Sequence, residues 1–99
     1  MAAKPIEIHS DALAELKSAL RWYLERSESA ADGFLAEIDR AIERIAATPT
    51  RWPSGDLGTR KFVLARFPYA VIYREKLMTI QILAVAHGHR RPRYWDERL

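Results

Sequence analysis

Between Arg60 and Val85, three apolar runs follow one another with almost no chain between them. Phe67-Pro68 alone separates Arg60–Arg66 from Tyr69–Arg74, and Glu75-Lys76-Leu77 leads into the third run. A parallel crossover needs a dozen residues or more, so runs this close pair as an antiparallel meander. The third run, with Ile80, Ile82, Leu83, Ala84 and Val85, is the most apolar and suits a central strand. It stops at His87, and the residues that follow include His89, Arg90, Arg91, Arg93, Tyr94 and Trp95. The most hydrophobic strand therefore delivers the most basic and aromatic segment to one end of a rigid platform.

The first half of the chain has a different period. Lys4–His9 alternates, with Ile6 and Ile8 on one side, and Pro5 suits an edge position or a strand start. Ser10 is the expected N-cap of a first helix, with Asp11 in its first turn. Leu13, Leu16, Leu20, Tyr23 and Leu24 form its apolar stripe, opposite Glu15, Lys17, Arg21 and Glu25, and it ends near Arg26. Ser27-Glu28-Ser29 is a tight link, and Ser29 with Asp32 resembles a capping box with Asp in place of Glu. Phe34, Leu35, Ile38, Ala41, Ile42 and Ile45 mark one face of a second helix, with Glu37, Arg40, Glu43 and Arg44 outside. Pro49 stops this helix around Ala47. Two amphipathic helices so closely linked make a helical hairpin. Thr50–Thr59 is loop, rich in Pro and Gly, and the tail from Pro92 to Leu99 is read as a short helix. The fold class is α+β, in the order β-α-α-β-β-β, as one domain over residues 1–99.

Composition excludes several chemistries. The chain has no cysteine, so disulfides, thiolate nucleophiles and cysteine-ligated zinc are absent. The opening MAAKPIEIHS lacks the apolar core of a leader, and no apolar run approaches the roughly 18 residues of a membrane span. A cytoplasmic protein without membrane contact is expected. Charge is divided unevenly: 6 Lys/Arg against 9 Asp/Glu up to Thr48, then 10 against 4 from Pro49 onward. The second half can therefore attract an anionic partner.

No Gly-rich phosphate loop, His-x-x-x-His pair or Gly-x-Ser-x-Gly elbow is present, and no cofactor or metal is implied. Metal-free RNA cleavage needs a base, an acid and cations on the phosphorane. His87 can be base or acid, Arg90 or Arg91 can hold a phosphate, and Tyr94 or Trp95 can stack on a base. Equally, Arg90, Arg91 and Arg93 can be solvated while Tyr94 and Trp95 fold back onto the core. Arg60, Lys61 and Arg66 either line the same groove or guard a strand edge. His9 reads as a polar strand residue, and Trp22 and Trp52 as packing residues.

Arg66-Phe67-Pro68-Tyr69-Ala70-Val71-Ile72-Tyr73-Arg74, then Ile82–His87, Arg90-Arg91-Pro92 and Tyr94-Trp95, resemble the RelE/ParE superfamily of bacterial type II toxins. The resemblance covers nearly the whole chain. It implies a helical hairpin packed on a twisted antiparallel sheet, and a cognate antitoxin that wraps and neutralises the toxin, with oligomers possible in that complex. RelE-like members cut mRNA in the ribosomal A site without metal, whereas ParE-like members poison DNA gyrase and are not enzymes. Lys61 keeps one cation of the nuclease pattern, but Val63 stands where a second lysine is expected, and Ala70 where an arginine is. If a ribonuclease, the chain would use His87, Lys61, Arg90 or Arg91, and Tyr94. As a binder, its target or antitoxin surface would comprise Arg60, Lys61, Arg66, Arg74, His87, Arg90, Arg91, Arg93, Tyr94 and Trp95. The departures favour the ParE-like reading.

Overall fold

The short connections after Arg60 produce the expected meander in a computed structural model, which describes residues 3–99. The elements run β1 (Ile6–Ile8), α1 (Ser10–Leu24), α2 (Glu28–Ala47), β2 (Arg60–Val63), β3 (Tyr69–Glu75) and β4 (Ile80–His87). Single 3-10 turns at Asp56–Gly58 and Asp96–Arg98 complete the list of elements. The sheet order is β1-β4-β3-β2, with β3 antiparallel to both β2 and β4. β1 pairs parallel to β4, so the sheet is mixed, where a wholly antiparallel one was expected. The reason is topological. β1 runs directly into α1, and the hairpin then carries the chain across one face of the sheet to its far edge, where β2 begins. Pro5 sits before the edge strand as its missing N–H requires, and its carbonyl accepts from the Ile80 N–H at 3.0 Å.

Both helix starts differ from the expected ones. His9 caps α1: its Nδ1 accepts from the Asp11 N–H at 3.0 Å, while its own N–H donates to Ile82 O at 2.9 Å. The residue leaving the strand is therefore the cap, and Ser10 is already helical. Ser27 caps α2, its Oγ accepting from the Ala30 N–H at 3.1 Å, because the link turns two residues earlier than Ser29.

The helices cover one face of the sheet, where Phe34, Ile38, Ile45, Val71, Tyr73, Ile80 and Ile82 are almost wholly buried. The Tyr73 hydroxyl reaches the interior end of the loop, donating to Pro49 O at 2.6 Å. The apolar stripes hold in the main: Phe34, Ile38, Ala41 and Ile45 are buried on α2, and Leu16, Leu20 and Tyr23 of α1 pack on the core. The edges of both stripes differ from those expected. Ala12 and Ala19 are the buried residues of α1, and their small side chains let it close on β4, leaving Leu13 and Leu24 exposed. On α2, Leu35 is exposed, at the edge of the stripe formed by Phe34, Ile38, Ala41 and Ile45. Glu15 and Glu37 lie on the inward side of their helices, against expectation; Glu37 is 7% exposed. The tail is not a helix from Pro92. Arg93 has φ of +60°, which breaks any helix there; residues 92–95 form turns, and the helical part of the tail is the 3-10 turn Asp96–Arg98. No described helix is long and apolar enough to cross a membrane.

Candidate binding groove

The face of the sheet without helices carries the site. On it lie Ala70, Ile72, Leu83 and Ala84, and the tail folds across them with Trp95, 7% exposed, packed in the same cluster. Register decides what else reaches this face, because residues directly opposite in an antiparallel pair share a side. Lys61 pairs with Ile72, and Ile72 with Ala84, so the lysine emerges on the tail's side. One row further, Val63, Ala70 and Ala86 stand opposite one another across β2, β3 and β4. Between this row and the tail lies a groove of about 480 Å³.

Most of the residues singled out from sequence border this groove: Arg60, Lys61, His87, Arg90, Arg91, Arg93, Tyr94 and Trp95. They are not equally free. The Arg60 guanidinium donates to Trp52 O at 2.7 Å. Arg93 lies 3.7 Å from Asp96, and Arg90 lies over the Tyr94 ring, 3.9 Å from its centroid. Two expected residues stand elsewhere. Arg66 pairs with Glu37 on the α2 side at 3.3 Å, and Arg74 donates to the Gln81 side chain at 2.9 Å near the opposite end of β3.

Three residues that sequence reasoning passed over fix the tail and the β2–β3 turn. Beyond Ile82 the edge of β4 has no strand partner, since β1 ends at Ile8. A bulge inserts Leu83 there, between the pairs Ile72–Ala84 and Tyr73–Ile82. The groups left open are taken by side chains. The Val85 N–H donates to Glu15 Oε1 at 3.0 Å, and Arg98 donates to Leu83 O at 2.9 Å. Glu15 and Arg98 also pair with each other through bonds of 2.9 and 3.0 Å, so together they stand in for the missing strand. Glu15 Oε2 additionally accepts from the Tyr94 hydroxyl at 2.7 Å. Burial pushes the Glu15 carboxyl up, but bonds from Arg98, Tyr94 and the Val85 N–H outweigh it, and the net shift is downward. The third residue is Glu37, which accepts from the N–H groups of Ala65 and Arg66 at 2.6 and 3.1 Å. Burial raises its carboxyl too, and these backbone bonds with the Arg66 side chain again bring it down overall.

The same contacts limit the chemistry. Burial, then the bond to Glu15 and the charge of Glu15, raises the Tyr94 hydroxyl far above its ordinary value. It is a donor held by a carboxylate, aimed at α1. His87 closes β4 edge-on to the Tyr69 ring, at 5.1 Å between centroids. Its Nδ1 accepts from the His89 N–H at 3.1 Å, and the two imidazoles stack. Its Nε2 is therefore the nitrogen left for a ligand. Lys61 and Arg91 can hold anionic groups, but the central row beneath them, Val63, Ala70 and Ala86, is apolar. Among the described residues no three His, Asp or Glu side chains are grouped to hold one metal ion.

The sequence matches, over residues 6–92, the family described as the ParE toxin of the type II toxin–antitoxin system parDE. A search of curated proteins found no match. Among solved structures, a chain of the chromosomal ParDE toxin–antitoxin system from P. aeruginosa superposes with a TM-score of 0.74 at 21% identity. The match covers 86% of this chain and 96% of that one, and at such identity the likeness is one of fold.

Proposed function

Because the chain belongs to the ParE toxin family of type II toxin–antitoxin systems, we propose that it is a cytoplasmic toxin that arrests growth by binding DNA gyrase. A cognate antitoxin neutralises it, and the groove between β2 and the tail is part of its contact surface. The observation that carries the binding reading is the state of Tyr94. Its hydroxyl is committed to Glu15, so it offers a nucleic acid no free proton-transfer group, and Arg90 already takes one face of its ring. Val63 and Ala70 remove two further cations from where a phosphorane would need them, and one lost oxyanion donor is worth roughly 2.7–4 kcal/mol. The test is induction without antitoxin, with parallel assays of gyrase supercoiling and mRNA cleavage. Loss of supercoiling with intact mRNA is expected; cleavage of ribosome-bound mRNA with gyrase unaffected would overturn the reading.

One observation favours an enzyme as the second reading. Lys61, His87, Arg90 and Arg91 do border one groove. A ribosome-dependent endonuclease using them predicts that His87→Ala abolishes toxicity while antitoxin binding survives. Toxicity that persists in this variant removes that reading.

A further inference from the structure

We propose that the cleft between α1 and the free end of β4 binds an adenine mononucleotide, its base against the edge of β4 and its phosphate towards Arg90. The cleft opens on the helix side of the sheet, and the proposal goes beyond the toxin reading without depending on it.

The strand edge sets the hydrogen-bonding requirement. Glu15 and Arg98 take the Val85 N–H and the Leu83 carbonyl, and their reach ends there. The Gly88 N–H turns towards β3, donating to Pro68 O at 2.9 Å. Backbone polar groups alternate sides along a strand, so the Val85 carbonyl and the His87 N–H turn outward, away from β3. Among the described residues neither group takes part in a hydrogen bond. A strand carbonyl and the N–H two residues on present one acceptor beside one donor. Adenine complements that pair, its amino group donating to Val85 O and its neighbouring ring nitrogen accepting from the His87 N–H. Guanine can lay its lactam on the same pair, but its own amino group then falls beside Leu83 O and the Val85 N–H. Both are already taken, and an unpaired amino group there weakens binding.

The walls suit a planar ring with an anionic end. The cleft holds about 550 Å³, within the range of small-ligand sites. Ala14 and Ser18 line it from α1 with small side chains that leave the room, while Trp22, Tyr23 and Tyr69 supply ring surface. Trp22 is 50% exposed, and the Arg26 guanidinium holds it, 3.7 Å from the ring centroid. Arg90 stands at the mouth, exposed and with no carboxylate within 4.0 Å among the described residues. The His87 side chain adds a second donor: its Nδ1 accepts from the His89 N–H, so the neutral ring carries its proton on Nε2. Together they can bind one phosphate. A single-stranded nucleic acid needs a charged track with successive stacking rings. Here a single arginine, and no lysine, lines the cleft, which suits a single nucleotide.

The test is an NMR titration of the isotope-labelled full chain with AMP, and with adenosine, GMP and single-stranded oligoadenylate for comparison. Saturable binding of AMP is expected, with the His87 amide signal among those that move most. Arg90→Ala should weaken AMP about tenfold or more, the usual worth of a hydrogen bond to a charged group, and leave adenosine unchanged. Ser18→Phe should fill the cleft and abolish the binding of both. Ser18 and Arg90 are exposed, and if Ser18→Phe fails to fold, the Arg90→Ala comparison decides the matter. Five outcomes overturn the proposal. They are AMP that does not saturate, a His87 amide that stays in place, GMP binding as tightly as AMP, an AMP affinity that Arg90→Ala or a folded Ser18→Phe leaves unchanged, and oligoadenylate binding far more tightly than AMP. The last would assign the cleft to RNA.

Discussion

Replacing Glu15 by Ala tests whether one carboxylate of α1 holds the tail in place. The change leaves three donors without their acceptor: the Val85 N–H, the Tyr94 hydroxyl and the Arg98 guanidinium. The paired side chains of Glu15 and Arg98 are only 16% and 13% exposed. Breaking a buried ion pair by removing one partner costs roughly 3–5 kcal/mol. The rim location, and the bond that Arg98 keeps to Leu83 O, place this case near the lower end, at about 3 kcal/mol. For a chain of this size that corresponds to a fall in Tm of roughly 12–24 °C, at about 4–8 °C per kcal/mol. Arg98→Ala is milder, about 2 kcal/mol, because Glu15 still accepts from Val85 and Tyr94. The double variant should then show a coupling energy of about 1.5–2 kcal/mol between neighbours. Urea unfolding followed by circular dichroism gives the energies, and amide exchange at Val85 and through Tyr94–Arg98 reports release of the tail. A cost below about 1 kcal/mol for Glu15→Ala, the range of exposed pairs, would refute the clasp.

Acid should unfold the chain through the same groups. Glu15 and Glu37 titrate below 4.5 when folded, so the unfolded chain binds more protons as pH falls. Their contribution is complete well above pH 4.5 and is lost as pH drops through the folded values. Urea midpoints measured against pH should show this arm, and Glu15→Gln should flatten it while lowering stability at neutral pH. Gly33→Ala should stabilise by roughly 0.5–1 kcal/mol. The new Cβ would meet Phe67 Cζ at 3.6 Å and Arg66 Nη2 at 3.9 Å, ordinary contacts, so a higher Tm is expected and a lower one refutes it. Ser27→Ala removes the α2 cap and should cost about 1 kcal/mol, whereas Ser29→Ala, already inside the helix, should cost much less. Chemical denaturation of the two variants side by side decides between them.

The strands and helices were legible because period and turn spacing are local properties. The meander, the helical hairpin and the end of β4 at His87 all stand where residue patterns placed them. What escaped was the depth of single charged residues. Glu15 lies three residues after Ala12 and four before Ala19; Glu37 lies three after Phe34 and four before Ala41. Both thus sit on the buried side of their helices, among apolar residues that the periodicity did place there on α2. For Glu15 the alanines at 12 and 19 were the available signal, because a helix that closes tightly on a sheet does so over small side chains. The partners of those carboxylates were beyond any local pattern: Arg98 is 83 residues from Glu15, and Arg66 is 29 from Glu37. Arg98 itself looked like one more tail cation. The parallel pairing of β1 was hidden for the same reason, since nothing near Ile6 specifies which end of β4 it meets.

The departures at Val63 and Ala70 acquire a common meaning from register. They are partners on β2 and β3, and with Ala86 they form one apolar row beneath a cationic rim. A dianionic transition state over that row would find its cations displaced to the edges, each missing central donor costing roughly 2.7–4 kcal/mol. A protein surface laid over the same row loses nothing by the absence of those cations, whereas phosphodiester cleavage needs them at the centre of the groove. Supplying them, with Val63→Lys and Ala70→Arg together, should raise affinity for single-stranded RNA in a salt-dependent way. An RNA affinity unchanged in that double variant would show that the row is not where a phosphate would sit.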